Sequence, residues 1–394
     1  MTERDVLICG AGVAGLALAH WLRVHGDRPT VVERSPELRT GGYKVDIRGA
    51  ALDVVGRMGL LDELRQRRTE IGTGTVVTAD GRRVAAMDGD TFGGRVHGDV
   101  EVRRGDLLEL LHREAGVEVL FDETVTDLRQ DADGVDVSFG RAPRRRFDLV
   151  VGADGLRSAI REEVFGPHRD HVRDLGYQVC VYSVDGDLGL DREEVTYVAA
   201  GRTTLAYRTA GAPSATAMFL FTGTEQPPRE RADQQRVLER AYAGQGWRVP
   251  ELLAAAGAAR DFYFDSLSQV KMDAWADRRV VLVGDAAYGA SPASGQGTSM
   301  ALVGGYVLAG ELARQPDHAA GFADYQALMR PYVERNQALG PANFSRMVLP
   351  TERRVRGTLT ALSVINRLPF RNALMARAVA PIHRAATAIT LPTY

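Results

Sequence analysis

Apolar positions along the chain fall into two rhythms. Unbroken aliphatic runs at 5–9, 29–32, 147–151 and 279–283 read as strands buried on both faces. Helical spacing follows at 13 to about 25, at 53–70, at 104–113 and at 301–312. In 53–70, Val54, Val55, Met58, Leu61 and Leu64 share one side. This alternation predicts a parallel α/β unit. A second rhythm is period-two alternation at 179–184, 195–199, 203–208 and 216–222, which predicts antiparallel strands. Segments 74–84 and 262–271 are candidates to complete that sheet. A meander at 117–121, 124–128 and 134–138 turns at Asp133-Gly134, and 232–258 reads as helical.

Glycine is placed where the strands end. The first run opens into Gly10-Ala11-Gly12-Val13-Ala14-Gly15, and the second ends at Glu33. Gly10 permits the tight turn, Gly12 lets backbone approach a pyrophosphate, and Gly15 allows close helix–strand packing. A helix N-terminus there supplies free N–H groups and partial positive charge. Glu33 stands where a carboxylate accepts both hydroxyls of an adenosine ribose, with Arg34 beside it as a further contact candidate. An acid at this place disfavours a 2′-phosphate, so the dinucleotide is NAD or FAD. The third run enters Gly152-Ala153-Asp154-Gly155, continuing to Ser158 and Arg161. The fourth enters Gly284-Asp285-Ala286-Ala287-Tyr288 and then Ser291-Pro292-Ala293-Ser294-Gly295-Gln296-Gly297. Open α/β sheets bind ligands at such strand ends.

These three clusters, in this order, resemble the p-hydroxybenzoate hydroxylase family of class A flavoprotein monooxygenases. The fingerprints are G-x-G-x-x-G, D-G-x-x-S-x-x-R and G-D followed by P-x-x-G-Q-G. The stretch from Gly41-Gly42 to Gly49, and Arg104 in 101–107, are similar to the small tetracycline- and rifamycin-modifying members. The resemblance implies non-covalent FAD, with NADPH or NADH as a visiting co-substrate and O2 as oxidant. It implies hydroxylation of an aromatic or polycyclic small molecule through a flavin C4a-hydroperoxide. Asp285 and Arg104 would then serve the ribityl and diphosphate part, and Asp154 would lie near the pyrophosphate. Pro292, Gly295, Gln296 and Gly297 would bring backbone N–H groups to the flavin pyrimidine edge. Pro292, Gly295 and Gly297 are accordingly the catalytic candidates, with Pro292 and Gly295 forming a substrate ceiling. Histidine is common in the family where Tyr288 stands, and asparagine where Ser299 stands.

The implied fold is a Rossmann-like FAD-binding domain (1–71, 98–174 and 275–350) interleaved with an antiparallel-sheet substrate domain (72–97 and 175–274). Residues 351–394 form a C-terminal helical segment. There, Arg353, Arg354, Arg356, Arg367, Arg371, Arg377 and Arg384 face a single acid, Glu352. Such a basic amphipathic helix can lie on a membrane or bridge the two domains, and bridging is favoured because no second anchoring signal is present. Tyr207, Phe219, Phe221 and Tyr288 are candidates to line a substrate pocket, as is Tyr263. Alternation alone leaves open which sheet face looks at the flavin.

Composition narrows the alternatives. A net charge of −2 gives no nucleic-acid footprint, and two cysteines, Cys9 and Cys180, exclude a disulfide scaffold and a Cys-rich metal site. No metal ligands are expected. The strand beginning by Asp5 leaves no room for a signal peptide and no apolar run is long enough to span a bilayer, so a cytoplasmic monomer or homodimer is expected. Lys44 and Lys271 are the only lysines among 49 Lys and Arg, a bias attributed to genome composition. Three other functions compete. They are a non-redox flavoprotein such as a cyclase, a halogenase, for which Trp247, Trp275 and Lys271 lack the expected motif, and a pure binding module.

Overall fold

The computed structural model describes residues 3–38, 43–96, 98–223, 226–369 and 371–394. Gly41 and Gly42 lie outside the described residues. Strand Asp5–Cys9 pairs in parallel with Arg28–Glu33 on one side and Leu149–Gly152 on the other. Val280–Leu282 then continues the sheet in parallel beside Leu149–Gly152. These strands are largely buried, with helix Val13–Val24 packed on Asp5–Cys9 and Arg28–Glu33 and against the helix Gly297–Arg314. The central helix Gly297–Arg314 is buried nearly all round, which its small residues permit: Gly305 approaches the Leu18 backbone so closely that a Cβ would sit 2.9 Å away.

The second sheet has seven strands, centred on Val172–Asp185, Ser214–Thr222, Arg202–Tyr207 and Glu193–Ala199. It is antiparallel except where Thr73–Val77 runs parallel to Glu193–Tyr197. The strand expected at 179–184 is longer, because a bulge between Asp174 and Gln178 lets pairing with Tyr263–Val270 continue. The helix expected over 53–70 is two helices, Ala50–Arg57 and Leu61–Gln66. Gly59 breaks it at φ +75°, in the left-handed region that glycine enters freely. The helix expected over 232–258 is likewise two, Arg231–Ala241 and Val249–Ala255.

Each face of this sheet has its own core. Outward, Tyr182, Phe219, Phe221 and Tyr242 pack under the helices Arg231–Ala241 and Val249–Ala255. Inward, Val179, Val181 and Leu220 pack against Phe344 and Val348 of the long helix His318–Met347 and its end. The C-terminal helix Glu352–Ile365 lies on strands Arg83–Asp88 and Glu193–Ala199, and Arg371–Ala386 lies on His318–Met347. The chain end returns to the central helix, where the Tyr394 hydroxyl donates to Glu311 Oε1 at 2.7 Å. Gly310 makes room for that ring.

Phe219 is fully buried, stacked on Tyr182 at 5.7 Å and edge-on to Tyr242 at 4.9 Å. Phe219→Ala is expected to destabilise the protein by about 3–5 kcal/mol through cavity formation. Denaturant unfolding checks this, and a loss under 1 kcal/mol would contradict the packing described.

Candidate functional site

Three turns leave neighbouring strand ends at one edge of the parallel sheet. Ala153 N–H donates to Cys9 C=O at 2.8 Å, and Val283 N–H donates to Gly152 C=O at 2.9 Å, which aligns all three. Gly10 has φ +115°, and a Cβ there would meet the Ala153 carbonyl oxygen at 2.5 Å. Gly15 is as constrained, since its Cβ would fall 2.0 Å from the Gly10 oxygen. Gly12 differs: nothing lies within 4 Å of its Cβ position, so the turn opens outward there. The helix Val13–Val24 that follows has no side-chain cap and no acid in its first turn. Its free N–H groups therefore face an opening suited to a diphosphate.

Glu33 is set by two backbone donors, Ala11 N to Oε2 and Ser35 N to Oε1, both at 2.9 Å. Each oxygen keeps a lone pair for a ribose hydroxyl. Arg34 is exposed at the same strand end. Asp154 spends Oδ2 on the N-terminus of the helix Ala159–Phe165, accepting from Ala159 N at 2.7 Å and Ile160 N at 3.2 Å. Its Oδ1 is buried without a hydrogen-bond partner, and burial raises its pKa. Arg161 is fully buried. It donates to Ala286 C=O at 2.9 Å and Leu156 C=O at 2.7 Å, tying the second turn to the third.

Asp285 starts the short helix Asp285–Tyr288, open to solvent yet deep among protein atoms. Desolvation pushes its pKa up, and the nearby Arg104 guanidinium opposes that. Arg104 begins the helix Arg104–Ala115, with its backbone N–H on Tyr43 C=O at 3.1 Å. Its side chain makes no hydrogen bond or ion pair among the described residues, so a cation stands ready for an anionic ligand.

The loop after Asp285 carries strain. Ser291 sits at φ +71°, ψ +145°, a region costing on the order of 1–3 kcal/mol outside glycine. Pro292–Ser294 forms one 3₁₀ turn, and Gly295 at φ +64° has open space at its Cβ position. Asn343 Nδ2 holds this turn by donating to Ala293 C=O at 2.8 Å. The helix Gly297–Arg314 again has no side-chain cap and no acid in its first turn. A Cβ at Gly297 would lie 3.9 Å from Asp285 Oδ1, so these N–H groups and the carboxylate border one recess. The Gln296 side-chain amide is buried with no hydrogen-bond partner among the described residues, and its backbone N–H donates to Ser294 Oγ at 3.1 Å. Ser299, where asparagine is common, accepts from Arg48 N at 3.1 Å.

Of the five expected pocket residues, Tyr207, Phe219, Phe221 and Tyr288 are buried and Tyr263 alone is exposed. Phe219 and Phe221 point to the helix-covered outer face, because strand alternation puts Met218 and Leu220 inward instead. Tyr288 is 1% exposed and is wedged between Trp275 and Tyr325, whose hydroxyl donates to its own at 3.2 Å. It presents no surface to a small molecule. Tyr207 does lie on the inward face, in register with Thr216 and on the same side as Leu205. Its hydroxyl accepts from Lys44 N at 3.2 Å. Tyr263 is 41% exposed, with its hydroxyl on Asp265 Oδ2 at 3.3 Å. Pattern reading passed over the charged group beside Tyr207, namely Lys44, Arg95, Glu101 and Glu194. Its one signal in the sequence is Lys44, one of two lysines in a chain that otherwise uses arginine.

The constricted turn, the Glu33 carboxylate at the strand end, the unpaired Arg104 and two uncapped helices fit FAD, the cofactor of a flavin-dependent oxidoreductase. The chain belongs to the FAD binding domain family, which it matches over residues 3–337. It is 40% identical over 340 residues to a flavin-dependent monooxygenase of an unknown prokaryotic organism, covering 86% of this chain and 88% of that protein. It is 44% identical over 345 residues to an uncharacterized protein of Mycobacterium tuberculosis H37Rv, covering 85% and 92%. The crystal structure of tetracycline destructase Tet(55) matches with TM-score 0.86 at 35% identity, over 100% of this chain and 99% of that one. Tet(51) matches with TM-score 0.86 at 33% identity over 100% of both. The protein is an FAD-dependent monooxygenase. Among the described residues, no side-chain group could hold a metal ion and no helix is long and apolar enough to cross a membrane.

Glu33→Ala is expected to weaken FAD by about 1.5–3 kcal/mol, the worth of hydrogen bonds to a charged acceptor. Titration of apoprotein with FAD measures it, and unchanged affinity would move the ribose contact elsewhere. Asp285→Asn is expected to lower bound FAD per chain without lowering the melting temperature of the apoprotein. A carboxyl whose pKa is raised by folding costs stability at neutral pH, so removing its charge relieves the fold. A drop in apoprotein melting temperature would make Asp285 structural.

Proposed function

We propose that the protein hydroxylates an aromatic or polycyclic, polyketide-like molecule, using two electrons from NADPH or NADH and one oxygen atom of O2. One observation carries the reading. The flavin-side loop and the inward sheet face share an apolar wall, in which Ala293 packs with Val179, Val181, Leu205, Met218 and Leu220. A flat apolar substrate laid on that wall would lie directly against the Pro292–Gly297 loop. Full-length similarity to tetracycline destructases makes tetracyclic polyketides the first substrates to try.

Each part of the chain then has a task. Segments 1–71, 98–174 and 275–350 hold the cofactor, and 72–97 with 175–274 supply the wall. Glu33 binds the ribose, Arg104 the diphosphate and Asp285 a ribityl hydroxyl. Asp154 sits against the Gly10 turn and shapes the pyrophosphate end. First-turn N–H groups of Gly297–Arg314 stabilise negative charge at the pyrimidine edge at no reorganisation cost. Bound there, the flavin supplies the redox and oxygen chemistry that no side chain here offers. Pro292 and Gly295 leave the reacting face bare, and the apolar wall excludes water. The chain works as a monomer or homodimer.

A non-redox reaction would need a proton donor beside the flavin. Tyr288 follows the Asp285 turn, but burial pushes its hydroxyl up to about 12 and its ring is sealed in the core. Tyr288→Phe is therefore expected to keep hydroxylation, and a bulky residue at Gly295 to abolish it. The test is turnover of tetracycline and related phenols with each nicotinamide under 18O2, read by mass spectrometry. Conversion without 18O while the flavin stays oxidised would overturn the hydroxylase reading.

A further inference from the structure

Beside Tyr207 lies a buried ionic cluster that the FAD site does not use. Strand Lys44–Ile47 forms a two-stranded ribbon with Val100–Arg103, in which Asp46 opposes Glu101. Glu194 and Tyr207 oppose each other on the neighbouring seven-stranded sheet. Lys44 joins the two. Its Nζ lies 2.9 Å from Glu101 Oε1 on the ribbon and 2.5 Å from Glu194 Oε2 on the sheet. The same ammonium stands 5.1 Å from the Tyr207 ring centroid, while the Lys44 backbone N–H donates to the Tyr207 hydroxyl. Arg95 completes the balance, pairing with Glu101 at 2.5 Å and Asp46 at 3.5 Å, and Arg48 pairs with Asp46 at 2.7 Å. Lys44, Arg48 and Arg95 thus meet Asp46, Glu101 and Glu194, and Arg95 also reaches the exposed Asp90 at 2.8 Å.

The chemistry of the bridge explains the residue. A guanidinium prefers one carboxylate in a planar fork, whereas an ammonium is a compact charge with three rotatable donors. It can divide itself between two carboxylates and still sit over an aromatic face. Side-chain exposures of 15%, 5% and 7% for Lys44, Glu101 and Glu194 mean that neither carboxylate can turn to water instead. Burial alone would discharge the amine, but Glu194 and Glu101 together hold it protonated above its ordinary range.

The ribbon also touches the cofactor side at both of its ends. Tyr43 C=O, just before it, accepts the Arg104 N–H at 3.1 Å. Arg48, just after it, donates its backbone N–H to Ser299 in the first turn of Gly297–Arg314. Moving Lys44 away from Glu194 would therefore loosen the substrate wall from both the diphosphate cation and the flavin-side helix. We infer that Lys44 is a positioning residue, an ionic latch that sets the spacing between substrate wall and flavin and so keeps water out during oxygen transfer. This rests on the hydroxylase reading above. When the spacing fails, reducing equivalents leave as peroxide: NAD(P)H, one proton and O2 give NAD(P)+ and H2O2, with two electrons passing from nicotinamide to oxygen.

The test uses FAD-loaded Lys44→Met, Glu194→Gln and the double variant, with tetracycline as substrate probe. The double variant removes both charges of the pair and so leaves the buried group balanced, which keeps it folded where a single variant may not be. All three are expected to bind FAD within about twofold of wild type while the peroxide fraction of NAD(P)H oxidised rises at least about threefold. The double variant should be no worse than the worse single one, because each breaks the same link. Amide exchange in Lys44–Ile47 and Arg202–Tyr207 should quicken in step. Wild-type coupling and wild-type exchange in the double variant would overturn the latch. If wild type itself makes no oxygenated product, the hydroxylase reading falls, and amide exchange then decides the latch by itself.

Discussion

The approach of the Gly10 turn to the Ala153 backbone is the constraint from which the site follows. A single methyl group at Gly10 would collide with a carbonyl oxygen at 2.5 Å, so this junction admits only glycine. With it closed, the ends of Asp5–Cys9, Leu149–Gly152 and Val280–Leu282 stand side by side, and three distant stretches of chain deliver their turns to one edge. Neither helix starting at that edge over the cofactor, Val13–Val24 or Gly297–Arg314, supplies a side-chain cap or a first-turn acid. In a protein without a ligand such ends are a cost. Here they leave two unopposed positive fields at one edge of the sheet, the kind of end that an anionic ligand satisfies.

The seven-stranded sheet answers a different requirement. One face packs under the helices Arg231–Ala241 and Val249–Ala255 and the other against Phe344, Val348 and Ala293, and strand alternation sorts residues between these faces without regard to their chemistry. Phe219 and Phe221 are large and aromatic yet serve the hidden face, while Met218 and Leu220 between and beside them face the flavin-side loop. The buried charges around Lys44 mark where the two units meet. Breaking one partner of such a buried pair leaves an uncompensated charge, so each of these residues depends on the others.

Much of this protein is legible in its sequence. Residues that act through backbone geometry can be read, since glycine spacing, strand ends and the acid at Glu33 are local features with one physical meaning each. The two helices replacing 53–70 show the limit of that reading. Hydrophobic spacing continues smoothly across Gly59, and only its left-handed backbone breaks the helix.

By itself the sequence determined the strand–turn–helix units, the FAD-binding family and the acid at the end of the second strand. Those depend on contacts a few residues apart or on the absence of a side chain. Tertiary structure alone decided that Tyr288 belongs to the core, that Arg161 ties two turns together, and that Lys44 bridges Glu101 and Glu194. Burial, face and partner depend on which strands lie next to one another. Glu101 and Glu194 stand far apart in the chain, and no periodicity records that both will be left to share one ammonium.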